Sequence, residues 1–259
     1  MEFREIQQKD LTLQEELLIT CFPQSKITSS YLDWLYFSNP LGNVVGFNAF
    51  DGEVLAAHYA CIPTRIGNRS GLLSLNTATH PEYRSRGLYQ RLAHMTYERW
   101  CQEFQFVVGV ANSQSSTAFV KHLGFRELGR LNLRYGKLLR PAEGARSWSA
   151  AEIEWRTDTP RGKFKSKQIH DGLIEISTRP DKFPFNLKSF VACQDEHVPR
   201  REELHTSEFG FTVDWVKGHQ PKVRLPEILK PSPLVLIYQS LSSSGVDLTS
   251  WSFPDFDAF

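Results

Sequence analysis

A strand-like run over residues 72–79 breaks into the basic stretch Arg84-Ser85-Arg86-Gly87-Leu88-Tyr89, and an amphipathic helix opens directly after it. A strand–loop–helix unit of this kind makes an anion site, because the loop amides and the positive end of the helix converge on one point. Gly87 permits backbone conformations and a close approach that a Cβ would obstruct. Arg84 and Arg86 add charge suited to phosphate oxygens. A cofactor carrying a pyrophosphate fits such a unit.

The surrounding pattern is mixed α/β over residues 1–140. Residues 3–6 read as a strand, and 11–21 as a helix with Leu11, Leu13, Leu17 and Leu18 on one side. Ser30 can cap a short helix over 31–37, which Asn39-Pro40 ends. Residues 44–50 and 54–66, joined by Asp51-Gly52, make a hairpin. After Gly87, Leu88, Leu92, Trp100 and Phe104 form one row of a helix and Tyr89, Ala93 and Tyr97 the next. Residues 106–110 are apolar throughout, as in a strand buried on both faces. A helix over 112–123 ends at Gly124, and one strand is expected over 128–138.

Small and turn residues crowd 141–149, so a second region is expected over 141–259. Its strand candidates are 153–157, 173–177, 209–215 and 234–239, with proline-bearing connections at 179–184 and 220–233. Trp155, Phe183, Phe185, Phe209, Phe211, Trp215 and Trp251 are too many aromatics for a disordered tail. The region reads as a β-rich extension packed on the first.

The formal net charge of +1 argues against nucleic acid or an anionic membrane as the main partner. Met1-Glu2-Phe3-Arg4-Glu5 lacks an apolar signal core, and no apolar run reaches membrane-spanning length. Cys21, Cys61, Cys101 and Cys193 lie far apart, which suits reduced thiols in a cytoplasmic protein better than a disulfide or zinc framework.

The order Thr79-His80-Pro81-Glu82-Tyr83-Arg84-Ser85-Arg86-Gly87-Leu88 resembles the acyl-CoA loop of the GCN5-related N-acetyltransferases, the GNAT superfamily. The family pattern there is Arg/Gln-x-x-Gly-x-Gly/Ala, matched at Arg84 and Gly87 and departed from at Tyr89. A second block, Asn112 opening a helix that ends in Leu123-Gly124-Phe125, resembles the family at the family's spacing. The resemblance implies a GNAT-type α/β (α+β) fold, a splayed mixed sheet flanked by helices. It implies direct acyl transfer from acyl-CoA to an amine, with no metal. Thr79, Arg84, Ser85, Arg86, Gly87, Leu88, Tyr89, Asn112 and Phe119 would then hold the coenzyme. Backbone groups of Asn76, Thr77, Ala78 and Thr79 would face the thioester, where a free N–H stabilises the oxyanion.

Many relatives place a tyrosine, as general acid, where this chain has Val120. Water can protonate a thiolate whose pKa is roughly 8.5, and Tyr89 and Tyr97 are further candidates. For the base, His58 and His80 are the candidates, each set against a plain hydrogen-bonding role. The aromatic stretch containing Tyr31, Trp34, Tyr36 and Asn39-Pro40 resembles a branch that N-acylates amino sugars in bacterial surface-polysaccharide pathways. That likeness implies an acceptor such as a dTDP-linked amino-deoxyhexose for lipopolysaccharide O-antigen. The donor would be acetyl-CoA or a longer acyl-CoA such as 3-hydroxybutyryl-CoA, and the protein a monomer or homodimer. Another small-molecule or peptidyl amine, or a CoA-binding module without catalysis, stays open beside it.

Overall fold

The computed structural model describes residues 1–138, 146–160, 162, 164–170, 172–179, 186–195, 209–216, 234–243, 245, 248 and 252–254. Numbered in chain order, the strands of its first sheet lie side by side as β1 (Glu2–Glu5), β2 (Val45–Asp51), β3 (Val54–Ile66), β4 (Arg69–Thr79), β5 (Phe106–Ala111), β13 (Val235–Ser240) and β6 (Arg126–Arg130). Neighbours are antiparallel except β4 and β5, which run parallel. The parallel pair needs a crossover, and α3 (Leu88–Trp100) supplies it.

Both faces of this sheet are covered, which is why β5 is apolar at every position. Phe106 and Val108 point into a core shared with α1 (Leu11–Cys21) and α2 (Ser29–Phe37), where Leu18, Leu32 and Tyr36 are buried. Val107 and Ala111 point the other way, to Leu92 of α3 and to Phe119 and Leu123 of α4 (Ser113–Leu123). Each fully buried leucine contributes about 1.5–3 kcal/mol. The cap of α2 is Thr28, whose hydroxyl accepts from the Tyr31 amide; the expected cap, Ser30, lies inside the helix. No helix among the described residues is long and apolar enough to cross a membrane.

Gly46 shows how closely β2 and β3 approach. Its φ is +146°, and a Cβ there would stand 2.1 Å from the carbonyl oxygen of Tyr59. We expect Gly46→Ala to cost roughly 2–3 kcal/mol, through strain and displaced backbone. Urea denaturation reads this directly; a change within about 0.5 kcal/mol, the usual surface value, would contradict the close approach.

A second sheet holds β14 (Ser252–Pro254), β12 (Phe209–Val216), β11 (Leu187–Cys193), β10 (Leu173–Thr178) and β9 (Phe164–His170) in that order. β7 (Asn132–Lys137) pairs with β12, and β8 (Ser147–Trp148) with β11. The single strand expected over 128–138 is therefore two strands in different sheets. The chain changes sheets at Leu131, whose N–H donates to the Leu234 carbonyl. β13 makes the opposite move, from the second region into the first sheet between β5 and β6. The sequence boundary at 140 is thus crossed in both directions.

The strand expected over 153–157 is instead a helix, α5 (Ala150–Thr157). Ser149 and Glu152 form a reciprocal capping box, and Ile153, Arg156 and Thr157 are buried at helical spacing. The helix fastens the two regions together. The indole N–H of Trp34 donates to the Trp155 carbonyl at 3.0 Å, and that of Trp155 donates to the Trp34 carbonyl at 3.1 Å. The two rings stack with centroids 5.1 Å apart. Beside them the buried Glu152 carboxylate accepts from Arg146 at 2.9 Å and from Arg65 of β3, while Arg146 also donates to Thr64. Of the remaining aromatics, Phe211 packs on the first core, while Phe209 is exposed. Phe183, Phe185, Trp251, the Trp215 side chain and the connection at 220–233 lie outside the described residues.

Candidate active site

Beyond Thr79 the chain makes one 3-10 turn (Pro81–Tyr83), then the basic loop, then α3. Thr79, Tyr83, Arg84, Ser85, Arg86, Gly87 and Tyr89 line an open cavity of about 360 Å³ here. Gly87 is the N-cap of α3 in the left-handed conformation, φ 69°, and Ser85 also has positive φ, 62°. A Cβ on Gly87 would meet only Gln90 Oε1, at 3.5 Å. Backbone conformation, rather than protein crowding, is what requires glycine at this position. No side chain caps α3, so its first amides and its positive end face the cavity.

The loop is braced from outside. Tyr83 donates to Asp51 Oδ2 in the β2–β3 turn at 3.0 Å. Arg84 Nε lies 3.4 Å from the Thr79 carbonyl, which also accepts from the thiol of Cys21. Burial pushes the Cys21 thiol up, against a smaller opposing effect of Arg84. Arg86 donates to the Glu82 carbonyl and lies over the Tyr83 ring, 4.8 Å from its centroid. Both guanidinium groups remain on exposed residues. The Leu88 side chain is buried in the α3 core, so only its backbone belongs to the site.

Next to this cavity the sheet opens. β4 pairs with β5 only at Leu72, Leu73 and Ser74, although β4 continues to Thr79. The two strands therefore part where the coenzyme's acyl end was expected. Within the open stretch, β4 carries a bulge against β3. Ala60 pairs with Leu75 and His58 with Ala78, so Asn76 and Thr77 together oppose Tyr59. Side-chain parity changes as it must: Leu73 and Ala78 point to the same core although they are an odd number apart. Asn76 adopts φ 51°, a left-handed conformation that asparagine tolerates better than most residues.

The two histidines differ. His58 is fully buried, with Nδ1 2.7 Å from Asn48 Oδ1 and Nε2 3.0 Å from the Tyr36 hydroxyl. Burial pushes its pKa down to about 3. A neutral ring with both nitrogens occupied inside the core is a structural group, which removes the expected base role. His80 stays at the mouth of β4, where Nδ1 accepts from the Glu82 amide at 3.4 Å and the ring packs against Tyr83.

The tyrosine candidates divide similarly. Tyr97 is buried and hydrogen-bonded to Tyr59, and burial lifts its pKa well above the ordinary value. Tyr89 lines the cavity, but its hydroxyl donates to the Ala118 carbonyl at 3.4 Å and its ring packs near Phe119. Phe119, expected at the coenzyme, is buried against Phe125 in the α3–α4 core; Val120 beside it is partly exposed. Asn112 caps α4, its Oδ1 accepting from the Ser115 amide at 2.8 Å.

The residues expected to meet the acceptor are occupied in packing. Tyr31 and Trp34 are buried with ring centroids 5.5 Å apart, and Trp34 is spent on the clasp with Trp155. Asn39 donates to the Pro63 carbonyl and accepts from the Leu41 amide, ending α2. Tyr36 is fully buried, yet its hydroxyl accepts from Asn76 Nδ2 at 3.0 Å. Asn48, a polar residue within an apolar strand, joins the same network and was not anticipated. No group of three or more metal-binding side chains converges among the described residues.

Residues 2–127 match a family model described as an acetyltransferase (GNAT) domain. No curated protein matches the chain. Among similar solved structures is a GCN5-related N-acetyltransferase from Anabaena variabilis, at 14% identity over 74% of this chain and 59% of that one, TM-score 0.48. Another is NAA60 of Arabidopsis thaliana in complex with acetyl-CoA, at 18% identity over 51% and 87%, TM-score 0.42. A third is the ribosomal-protein-S18-alanine N-acetyltransferase of Escherichia coli, at 14% identity over 56% and 86%, TM-score 0.40. The family match covers just under half of the chain and does not extend to the amino-sugar branch. Residues 2–127, in which a left-handed glycine opens α3 beside a splayed β4–β5 pair, are thus similar to a GNAT acetyltransferase domain.

Proposed function

We propose that the chain transfers an acyl group from acyl-CoA to the amino group of a nucleotide-linked amino sugar, by direct attack. The observation that carries the acyl-CoA half is the adjacency of two features. One is the uncapped N-terminus of α3 under Arg84 and Arg86, and the other is the open β4 edge from Leu75 to Thr79. The pyrophosphate takes the first and the thioester the second. The amine nitrogen attacks the thioester carbon, a backbone amide of the bulge steadies the oxyanion, and the C–S bond then breaks. The thiolate takes its proton from water, because Val120 offers none and Tyr89 is engaged with Ala118. Of the two candidate histidines, His80 is the one left to take the amine's proton.

The acceptor half rests on the second region. Leu187, Phe211 and Trp155 join the core on the α1–α2 side, toward which the Asn76 side chain also points. A wall on that side suits an acceptor larger than a free amino acid. The internal use of Trp34 and Asn39 favours a second reading, another small-molecule or peptidyl amine, because neither is left to stack on or bind a sugar.

Release of CoA thiol from acetyl-CoA and 3-hydroxybutyryl-CoA, measured against dTDP- and UDP-linked amino sugars, free amino acids and short peptides, tests the reading. We expect turnover with a dTDP-amino-deoxyhexose and little with amino acids. Turnover confined to peptides or amino acids would move the acceptor to the second reading.

A further inference from the structure

We infer that Tyr36, backed by His58 and Asn48, is a positioning residue that holds the β4 bulge in the shape needed to polarise the thioester carbonyl. This rests on the acyl-CoA half of the proposed function and on nothing about the acceptor.

The hydrogen-bond directions follow from chemistry. Asn48 Oδ1 can only accept, so His58 Nδ1 carries the proton. The ring is neutral, so His58 Nε2 accepts and the Tyr36 hydroxyl donates to it. That leaves the Tyr36 oxygen to accept from Asn76 Nδ2. The four groups form one directed chain, from fully buried Asn48 and His58 on neighbouring strands, through α2, to half-buried Asn76. It has no charged member, so nothing in it depends on pH across the neutral range.

Its outer end is the unusual residue. Asn76 is one of only two non-glycine residues with positive φ among the described residues, and the other, Ser85, lies in the coenzyme loop. A bulge releases one residue's backbone groups from the ladder with the partner strand. Here the bulge falls two residues past Ser74, the last residue of β4 paired with β5, so it lies within the stretch where the two strands have parted. Left-handed asparagine is tolerated rather than preferred, and an unanchored bulge residue would sample other conformations. The Tyr36 hydroxyl removes that freedom. Such a network is costly to bury for stability alone, since each polar group must find a partner inside an otherwise apolar core.

Tyr36→Phe removes one oxygen and keeps the packing. The test uses acetyl-CoA labelled with ¹³C at the thioester carbonyl, so no acceptor is needed. Calorimetry gives affinity, and isotope-edited infrared spectroscopy gives the bound carbonyl frequency. The wild type is expected to bind acetyl-CoA with the carbonyl band shifted to lower frequency. Tyr36→Phe is expected to bind with affinity within roughly threefold, about half of a 1.4 kcal/mol decade, and to lose most of that shift. If Tyr36→Phe does not fold, Asn76→Gly carries the test, because it keeps the left-handed residue and deletes only the anchor. A shift that survives in the folded variant, or is absent in a wild type that binds, overturns the positioning role and leaves the acyl-CoA reading standing. A wild type that binds no acetyl-CoA overturns the acyl-CoA reading and the positioning role with it.

Discussion

Acetyl-CoA affinity is expected to fall roughly 100-fold when Arg84 and Arg86 are both replaced by alanine. A hydrogen bond to a charged group is worth about 1.5–3 kcal/mol. The lower figure applies because both residues are exposed, so the pair gives about 3 kcal/mol, or two decades. Both arginines are exposed, and their protein partners are the carbonyls of Thr79 and Glu82, the Cys21 thiol and the ring of Tyr83. The double variant should therefore unfold at the same temperature as the wild type, and calorimetry on it is interpretable. Gly87→Val should weaken binding by a separate route. A β-branched residue cannot hold φ 69° without strain, so the loop would shift and carry the first amides of α3 away from the phosphates. Unchanged affinity in both variants would remove this loop from the coenzyme site.

Removal of Glu152 is expected to cost about 3–5 kcal/mol, the range for breaking a buried ion pair from one side. Its carboxylate is almost wholly buried, Arg146 nearly so, and Arg65 reaches it from the first sheet. Glu152→Ala takes the carboxylate away from both guanidinium groups and deletes the capping box of α5. The same group sets a pH dependence. Burial by itself would raise the Glu152 pKa, but Arg146, the Ser149 amide and Arg65 outweigh it, so the carboxyl sits below its ordinary value. A depressed carboxylate stabilises the fold above its unfolded pKa of roughly 4.3. That contribution is lost as pH falls through the lower folded value. Denaturant titrations across the acid range should show wild-type stability falling there, and a flatter profile for Glu152→Ala. A cost below about 1 kcal/mol, the value of a surface pair, would mean that the two regions are not joined through this carboxylate.

Much of the first sheet was legible because its signals are local. The helix rows after Gly87, the all-apolar β5 and the turn at Asp51-Gly52 each announce their element within a dozen residues. So does the basic loop before α3, whose glycine and arginines stand at adjacent positions. What was not legible depends on distant partners. The apolar run of β13 signals a strand, but nothing in it says that the strand lies between β5 and β6 rather than in the second sheet. The Ser149-x-x-Glu152 box is a local helix signal, and it outweighs the strand-like character of 153–157. His58, Tyr36 and Trp34 carry side chains that serve equally in cores and in active sites. Only the burial of His58, and the mutual exchange of hydrogen bonds between Trp34 and Trp155, assigns them to the interior.

In the proposed binding mode, acyl-CoA lies with its pyrophosphate on the loop opening α3 and its thioester in the gap between β4 and β5. Amide chemical shifts of ¹⁵N-labelled protein titrated with acetyl-CoA test it most directly. The expected result is saturable shifts concentrated at the amides of Ser85 to Tyr89 and of Asn76 to Thr79, with the second sheet almost unmoved. Saturable shifts centred elsewhere, with these two stretches unchanged, would contradict it.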